Sequence, residues 1–271
     1  MRILRTSVLV IFVIVLALFS IFKLQQRSAD KTYPVITIEG DMLNVSIAAT
    51  DEVLLQGVSA YDEKDGDLTH KLIVESVSRF VKTGVCVVNY VVCDSDHHTA
   101  SASRWITYTD YEHPRFTLSD SLVFGLSENV NIRSRLGAMD SIDGNISNKV
   151  IITANEYSSN VAGVSYISAK VTNSKGDSIT LELPVYMEEL SLSAPKIRLK
   201  EYLAYRKVGE EFDIMANVTE CLDQREEDLT AFLITDTNLD LSQPGVYEVH
   251  YQVTDSGERK GHSIATVIVE E

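Results

Sequence analysis

Cysteine is scarce in this chain of 271 residues: there are three copies, Cys86, Cys93 and Cys221, with no zinc-like spacing. An odd and scattered set of that kind excludes a disulfide framework and a structural zinc site. None lies near the N-terminus, which excludes a lipid-anchored lipoprotein. Positive charge is also in short supply. Against 39 acidic side chains there are 24 basic ones, and the formal net charge of −15 has the wrong sign for neutralising phosphates, so nucleic acid is excluded as a partner. The chain lacks a G-x-S-x-G elbow, a P-loop, a dinucleotide-binding glycine pattern and an H-E-x-x-H pair. With histidines and serines mostly in outward or loop positions, no enzyme is expected.

Long apolar runs are missing too, with one exception. Residues 6–22 are uncharged and dominated by Val, Ile, Leu and Phe. At about 1.5 Å per residue they cover roughly 25 Å, which suffices for a bilayer core if Arg5 and Lys23 snorkel from the two ends. A cleaved signal peptide would have a shorter apolar region closed by small residues, whereas Leu18 to Phe22 stays bulky. The expectation is a transmembrane anchor over residues 7–23, preceded by a short cytoplasmic N-terminus (1–6) carrying Arg2 and Arg5 and followed by a polar stalk over 24–33. The bulk of the chain would then lie outside, on a single-pass protein of the cell membrane.

What the chain has in abundance is internal repetition. The stretch AYDEKDGDLT at residues 60–69 returns as AMDSIDGNIS at 138–147 and as CLDQREEDLT at 221–230, aligning Asp62 with Asp140 and Asp223 without a gap. A proline opens each copy, in PVITI from Pro34, PRFTL from Pro114 and PKIRL from Pro195, and the apolar residues after it alternate as in a half-buried strand. A longer segment follows in each copy, from Gly84, Gly163 and Gly245. One parity of it carries Cys86, Val88, Tyr90 and Val92, then Ser165, Ile167, Ala169 and Val171, then Tyr247, Val249, Tyr251 and Val253, and is assigned to the core. The other parity, with Asn89, Ser168, Lys170, Glu248, His250 and Gln252, is assigned to the outer face. The pattern predicts an all-β chain of three tandem Ig-like antiparallel β-sandwich domains over residues 34–110, 114–187 and 195–271, after the N-terminal helix.

The Pro-led strand, the A-x-D-x-x-D-G-D-[LI]-[TS] stretch and the G-x-Y-x-V-x-Y-x-V-x-D-S segment together resemble the Ig-like repeats of bacterial surface proteins, modules also found in some pesticidal crystal proteins and kin to hyalin-type repeats. Repeat one matches at Asp62, Asp65, Gly66, Asp67 and Thr69; repeat two has Asn145 and Ser147 in place of Asp and Thr; repeat three departs further, with Glu226 and Glu227 at the positions of Asp65 and Gly66. The resemblance implies an extracellular, non-enzymatic module used in tandem as a spacer or adhesive stalk, and implies no particular ligand.

Several side chains invite a functional reading. Asp62, Asp65 and Asp67 place three hard oxygen ligands within six residues, as calcium prefers, although an EF-hand register would put Tyr61 and Leu72 at ligand positions. The favoured alternative is a tight turn at Asp65-Gly66, with Asp62 and Thr69 bonded to nearby backbone amides. If any repeat takes a cation, the first is expected to. Asp94, Asp96, His97 and His98 have a transition-metal flavour but sit in a predicted turn with no third ligand fixed by spacing, so a solvated loop is favoured. Cys86 and Cys221 align with core positions and Cys93 falls on the opposite strand face, so three free thiols are expected. Trp105, the lone tryptophan, is expected in the core rather than as a sugar platform. The function expected is a membrane-anchored extracellular spacer or adhesion/interaction module of a bacterial cell surface, with an unknown protein or glycan ligand. The alternative is a calcium- or glycan-binding accessory factor of the cell envelope.

Overall fold

The structure is a computed structural model that describes residues 2–28, 31–126, 128, 130–155 and 160–271, without the side chains of 2–6, 8, 9, 22, 24–28, 154 and 155. It begins with one helix, α1 (Arg2–Ser28). Among the described residues no helix is long and apolar enough to cross a membrane. The anchor expected at 7–23 rests partly on the side chains of residues 8, 9 and 22, which lie outside the described residues. The first part of the segment expected as a stalk at 24–33 is helical. Helix α1 runs on through Ser28, because Leu24, Gln25, Gln26 and Arg27 are good helix formers that let the first segment propagate; residues 29 and 30 lie outside the described set.

The rest of the chain is all-β. The first repeat comprises β1 (Val35–Ile38), β2 (Met42–Val45), a one-turn helix α2 (Asp51–Leu54), β3 (Val58–Asp62), β4 (Gly66–Asp67), β5 (Ile73–Val77), β6 (Val85–Cys93) and β7 (Thr99–Tyr108). One sheet has the order β1-β3-β4 and the other β2-β7-β6-β5, with β2 parallel to β7 and all other pairs antiparallel. The second repeat follows the same plan with β8 (Arg115–Leu118), β9 (Val123–Gly125), α3 (Ile132–Arg135), β10 (Leu136–Asp140), β11 (Gly144–Asn145), β12 (Ile151–Asn155), β13 (Gly163–Thr172) and β14 (Ser178–Glu188), in sheets β11-β10-β8 and β12-β13-β14-β9. The third has β15 (Lys196–Leu199), β16 (Leu203–Lys207), β17 (Val218–Leu222), β18 (Ile234–Thr237), β19 (Gly245–Thr254) and β20 (Lys260–Glu270), in sheets β15-β17 and β16-β20-β19-β18. Each opening strand starts one residue after its proline, where the missing N–H costs no ladder bond.

Alternation along the long strands decides what is buried. In β6, Cys86, Val88, Tyr90 and Val92 are all inside, and Ile167, Ala169 and Val171 of β13 and Val249, Tyr251 and Val253 of β19 repeat the arrangement. Three hydrophobic cores result, one per repeat. Residues 1–110 form one compact unit and residues 111–271 a second. Within the second unit the two sandwiches are joined by apolar contact: Leu203 belongs to the core of the second repeat, and Tyr205 and Ile268 pack against it. Polar contacts reinforce this junction. The Tyr205 hydroxyl accepts the Phe116 N–H at 3.0 Å, Arg115 pairs with Glu270 at 2.8 Å, and the Ile264 N–H donates to Ser121 Oγ at 3.0 Å. Burial pushes the Tyr205 hydroxyl up to about 12.

All three cysteines are free, Cys86 and Cys221 buried and Cys93 half-buried, as the strand parities require. Burial pushes the Cys221 thiol up to about 11. Trp105 needs a correction, since its side chain is outside, 42% exposed. Ile106 pairs with buried Cys86, so parity turns Trp105 outward beside Met42 and Val87. The inward position before it belongs to Arg104, whose Nη2 donates to the Leu54 carbonyl (2.8 Å) and the Tyr90 hydroxyl (3.1 Å), contacts that make a buried guanidinium tolerable.

The turn after the central strand also differs between copies. Gly66 and Gly144 hold the left-handed conformation in the first two (φ +77 and +67), whereas in the third the left-handed residue is Glu226 (φ +64), one alignment position earlier. A side chain in that region costs about 1 kcal/mol or more, which glycine avoids. Replacing Glu226→Gly is therefore expected to stabilise the third repeat by about 0.5–1 kcal/mol. Urea unfolding checks this, and an unchanged or lower midpoint would count against a strained turn.

Candidate functional site

The aspartates and histidines singled out in the sequence gather at one pole of the sandwich, where the turn after the central strand faces the hairpin between the last two strands. In the first repeat Asp62 is almost wholly buried, at 1% exposure. Its Oδ1 accepts the backbone N–H groups of Lys64 (2.9 Å) and Asp65 (3.0 Å), and its Oδ2 accepts the Thr32 hydroxyl (3.3 Å). Asp65 points the other way and takes the Ser95 N–H (2.6 Å) and hydroxyl (2.8 Å), while Asp67 Oδ1 accepts the Thr69 N–H (2.9 Å). Thr69 Oγ1 in turn accepts the Ala60 N–H at 3.2 Å. Hydrogen bonds thus engage all three candidate calcium ligands, Asp62 and Asp67 within the turn and Asp65 across to the facing hairpin. Among the described residues no three His, Cys, Asp or Glu side chains are grouped so as to hold a metal.

Across from that turn, Asp94 is buried and organises the hairpin. Its Oδ1 accepts the N–H groups of Asp96 and His98, each at 2.8 Å, and its Oδ2 lies 2.8 Å from His98 Nδ1. Burial acts to raise the Asp94 carboxyl, but the hydrogen bonds from the His98 backbone and ring outweigh it and hold the group below its ordinary value. Asp96 instead pairs with Lys64 on the facing turn. His97 takes the left-handed backbone position (φ +69), and the His98 ring lies 4.6 Å from the ring of Tyr33 in the entering segment. Of the side chains of Asp94, Asp96, His97 and His98, those of Asp94 and His98 are the pair brought together.

The second repeat builds the same frame with different atoms. Asp140 Oδ1 accepts the N–H groups of Ile142 (2.9 Å) and Asp143 (2.8 Å), and its Oδ2 accepts the Asn173 amide (3.0 Å). Asp143 takes the Ser174 N–H (2.7 Å) and pairs with Lys149 (2.7 Å). Here the entering segment is bonded outright. The Tyr111 hydroxyl donates to Asp177 Oδ2 (2.6 Å) and accepts from Asn173 (2.9 Å), and His113 Nδ1 lies 2.6 Å from the same Asp177 oxygen. Burial first, then Asp177, push the Tyr111 hydroxyl well above its usual range. In the third repeat Asp223 accepts the N–H groups of Arg225 (2.7 Å) and Glu227 (2.9 Å), and Asp255 is paired with the Arg259 guanidinium at 2.6 Å.

Tyr111 and His113 were hidden in a stretch that reads as a plain connector. A signal existed: Tyr33 and His113 are both rings placed one residue before an opening proline, in two of the three copies. A second polar group, formed by Tyr186, Glu188, Glu248, His250 and His262 where the second and third repeats meet, left no local pattern at all.

The sequence model described as bacterial surface protein, Ig-like domain, matches residues 204–269. The pesticidal crystal protein Cry22Aa of Bacillus thuringiensis is 30% identical over 247 residues, 86% of this chain and 33% of the crystal protein, so the chain spans about a third of that relative's length. Among solved structures, Drosophila N-cadherin EC1-3 is 14% identical, with 90% of each chain covered and a TM-score of 0.34. The M60 catalytic domain with CBM51-1 and CBM51-2 from Clostridium perfringens ZmpB is 12% identical, covering 89% of this chain and 31% of that one with a TM-score of 0.25.

The carboxylates of Asp65, Asp67, Asp94, Asp143, Asp228 and Asp255 are all held below their ordinary value: at Asp94 and Asp143 burial pushes upward and the bonds from His98, and from Lys149 and Ser174, outweigh it, while at the others bonds from Ser95, Thr69, Thr230 and Arg259 lead. A folded value below the unfolded one means stability that is complete above about pH 4 and lost as pH falls through the folded value. The urea midpoint should therefore hold from neutrality to about pH 5 as far as these groups decide it, then drop below about pH 4. Asp94→Asn, the residue type the second repeat uses at Asn173, should remove part of that acid limb. A limb of undiminished steepness would contradict the role given to Asp94.

Proposed function

We propose, from the premise that residues 204–269 are an Ig-like domain of the bacterial surface-protein type and that two further repeats share its plan, that the chain is a non-enzymatic extracellular spacer or interaction module held at a cell membrane by residues 7–23. The observation that carries this reading is the pinning of the entering segment: Tyr111 and His113 are bonded to the pole of the second repeat rather than left free. A repeat that fixes its entry segment on its own pole leaves less free linker at its start, as suits a module used in tandem. The anchor draws support from α1, where every described side chain from Val10 to Leu16, and Leu18, Phe19 and Ile21, is more than half exposed, an all-round apolar surface suited to lipid.

Protease added to intact cells tests the location. Cleavage within residues 31–271 before lysis is expected, with α1 retained in the membrane fraction. Domains that resist until the cells are lysed would overturn the outward topology, and release of the whole chain by a salt wash would overturn the anchor.

A ligand-binding role has its own observation in Trp105, exposed on the outer face of β7 between Met42 and Val87. An indole face flanked by apolar side chains offers a stacking surface to a sugar ring or a protein apolar group. On a glycan array the chain should bind through this face, and Trp105→Ala should weaken that binding at least tenfold without moving the melting temperature. Equal binding by the variant would remove Trp105 from the account.

A further inference from the structure

At the junction of the second and third repeats, five polar side chains stand in a line. Tyr186 and Glu188 come from the end of β14, Glu248 and His250 from β19, and His262 from β20. Glu188 Oε1 lies 2.7 Å from His262 Nδ1, His262 Nε2 lies 3.1 Å from His250 Nδ1, and His250 Nε2 lies 3.2 Å from Glu248 Oε2, which also accepts the Tyr186 hydroxyl at 2.5 Å. The two imidazole planes differ by 16° and their centres are 5.3 Å apart. A nitrogen contact of 3.1 Å at that separation requires both nitrogens to lie close to the line joining the ring centres, so the rings meet edge to edge as an N–H···N hydrogen bond does.

Proton counting then sets the state of the line. Three contacts (carboxylate to imidazole, imidazole to imidazole, imidazole to carboxylate) need three protons among four ring nitrogens, whereas two neutral imidazoles carry two. With one proton more, every contact is a hydrogen bond, and a single positive charge lies between two carboxylates. With a fourth proton, N–H faces N–H in the middle of the line. With only two, either one carboxylate oxygen faces a ring lone pair or the two ring lone pairs face each other in the middle of the line. Other charged or titratable groups around the line are Tyr166 on β13, Asp236 opposite His250 on β18, and Asp120, Arg135, Lys196 and Arg198, which line one cleft together with His262. Burial, then Glu248, hold the Tyr186 hydroxyl above its ordinary range, so Tyr186 stays a donor throughout.

We propose that this line is a proton-operated clasp between the second and third repeats, closed when the two histidines share one proton beyond their neutral complement and loosened by either gain or loss of a proton. A released histidine titrates near 6.5. Below that value the opened junction binds two extra protons against one in the clasp, so opening takes up a proton and is promoted by acid; above it the opened junction binds none, so opening releases a proton and is promoted by alkali. The clasp is strongest near pH 6.5, and the opening equilibrium changes by up to tenfold per pH unit, with opposite sign on the two sides.

Hydrogen exchange of the full chain at about pH 5.5, 6.5 and 7.5 reads this at the Ile264 amide, which bonds across the junction to Ser121. After correction for intrinsic exchange, protection should peak near pH 6.5 in the wild type and lose that peak in His262→Gln, whose amide hydrogen-bonds without titrating. His250→Gln gives the same reading at a more exposed position, 21% against 4%, should the first variant fail to fold. Imidazole nitrogen NMR of the wild type near pH 6.5 should show one neutral and one protonated ring, or their exchange average, for this pair. A flat protection profile, a peak that survives both substitutions, or two neutral rings at that pH would overturn the clasp.

Discussion

The structure depends on a buried carboxylate that must be given donors. Asp62 and Asp140 end a central strand and point inward, where an unpartnered charge would be prohibitive. The donors closest to hand are the N–H groups of the next two or three residues, and aiming two of them at one oxygen leaves the turn a single conformation. That conformation needs a left-handed residue, which Gly66 and Gly144 supply without strain. It also throws the next aspartate outward. Asp65 and Asp143 then reach Ser95 and Ser174 on the facing hairpin and tie the two loops of the pole together. Only on a pole fixed in this way can an entering segment dock.

Most of that frame is visible in the sequence because it is local. Side-chain oxygens that cap amides two to four residues away, glycine where φ must be positive, and alternation along a strand all leave short-range signatures, and the opening prolines locate the first strands. What escapes is tertiary. Residue type places Trp105 inward, yet strand parity allots the inward place to Arg104, a position made tenable by the carbonyl of Leu54 and the hydroxyl of Tyr90, both distant in sequence. His250 illustrates the converse. Its parity correctly reads as outward, but the outer face of that sheet is not solvent: Ile264 and Thr266 on the adjoining strand are buried, and Tyr186 of the preceding repeat meets His250. Parity gives a face and leaves open what covers it.

Repetition separates scaffold from variation without any external comparison. The capping aspartate and its backbone donors recur in all three copies, including the third, where Asp223 is only half-buried, the left-handed residue has moved by one place and Asp223 bonds to Glu227 instead of its predecessor. The partner on the entering segment does not recur. Thr32 reaches Asp62 and the Tyr33 ring lies near His98 in the first copy, whereas Tyr111 and His113 are bonded to Asp177 in the second. Evidently the frame is common and the attachment of each entry segment is individual, as suits modules joined in a fixed order.

The same frame bears on the acidic stretch that first draws the eye. Gathering Asp62, Asp65 and Asp67 around one cation would turn Asp62 away from two backbone N–H groups and Asp67 away from a third. Those amides are half-buried or exposed, so each exchanged bond costs about 0.5–1.5 kcal/mol, and the ion would have to offset three such losses before it gained any affinity. The left-handed turn at Gly66 would have to reorganise as well, releasing Ser95 from Asp65 and separating the two loops of the pole. A cation at this pole would therefore have to sit outside the turn, on lone pairs that the backbone leaves free, where solvent competes for it. The density of acid in AYDEKDGDLT reflects how many amides a tight turn must satisfy, and the closeness of three aspartates in sequence does not bring their oxygens together in space.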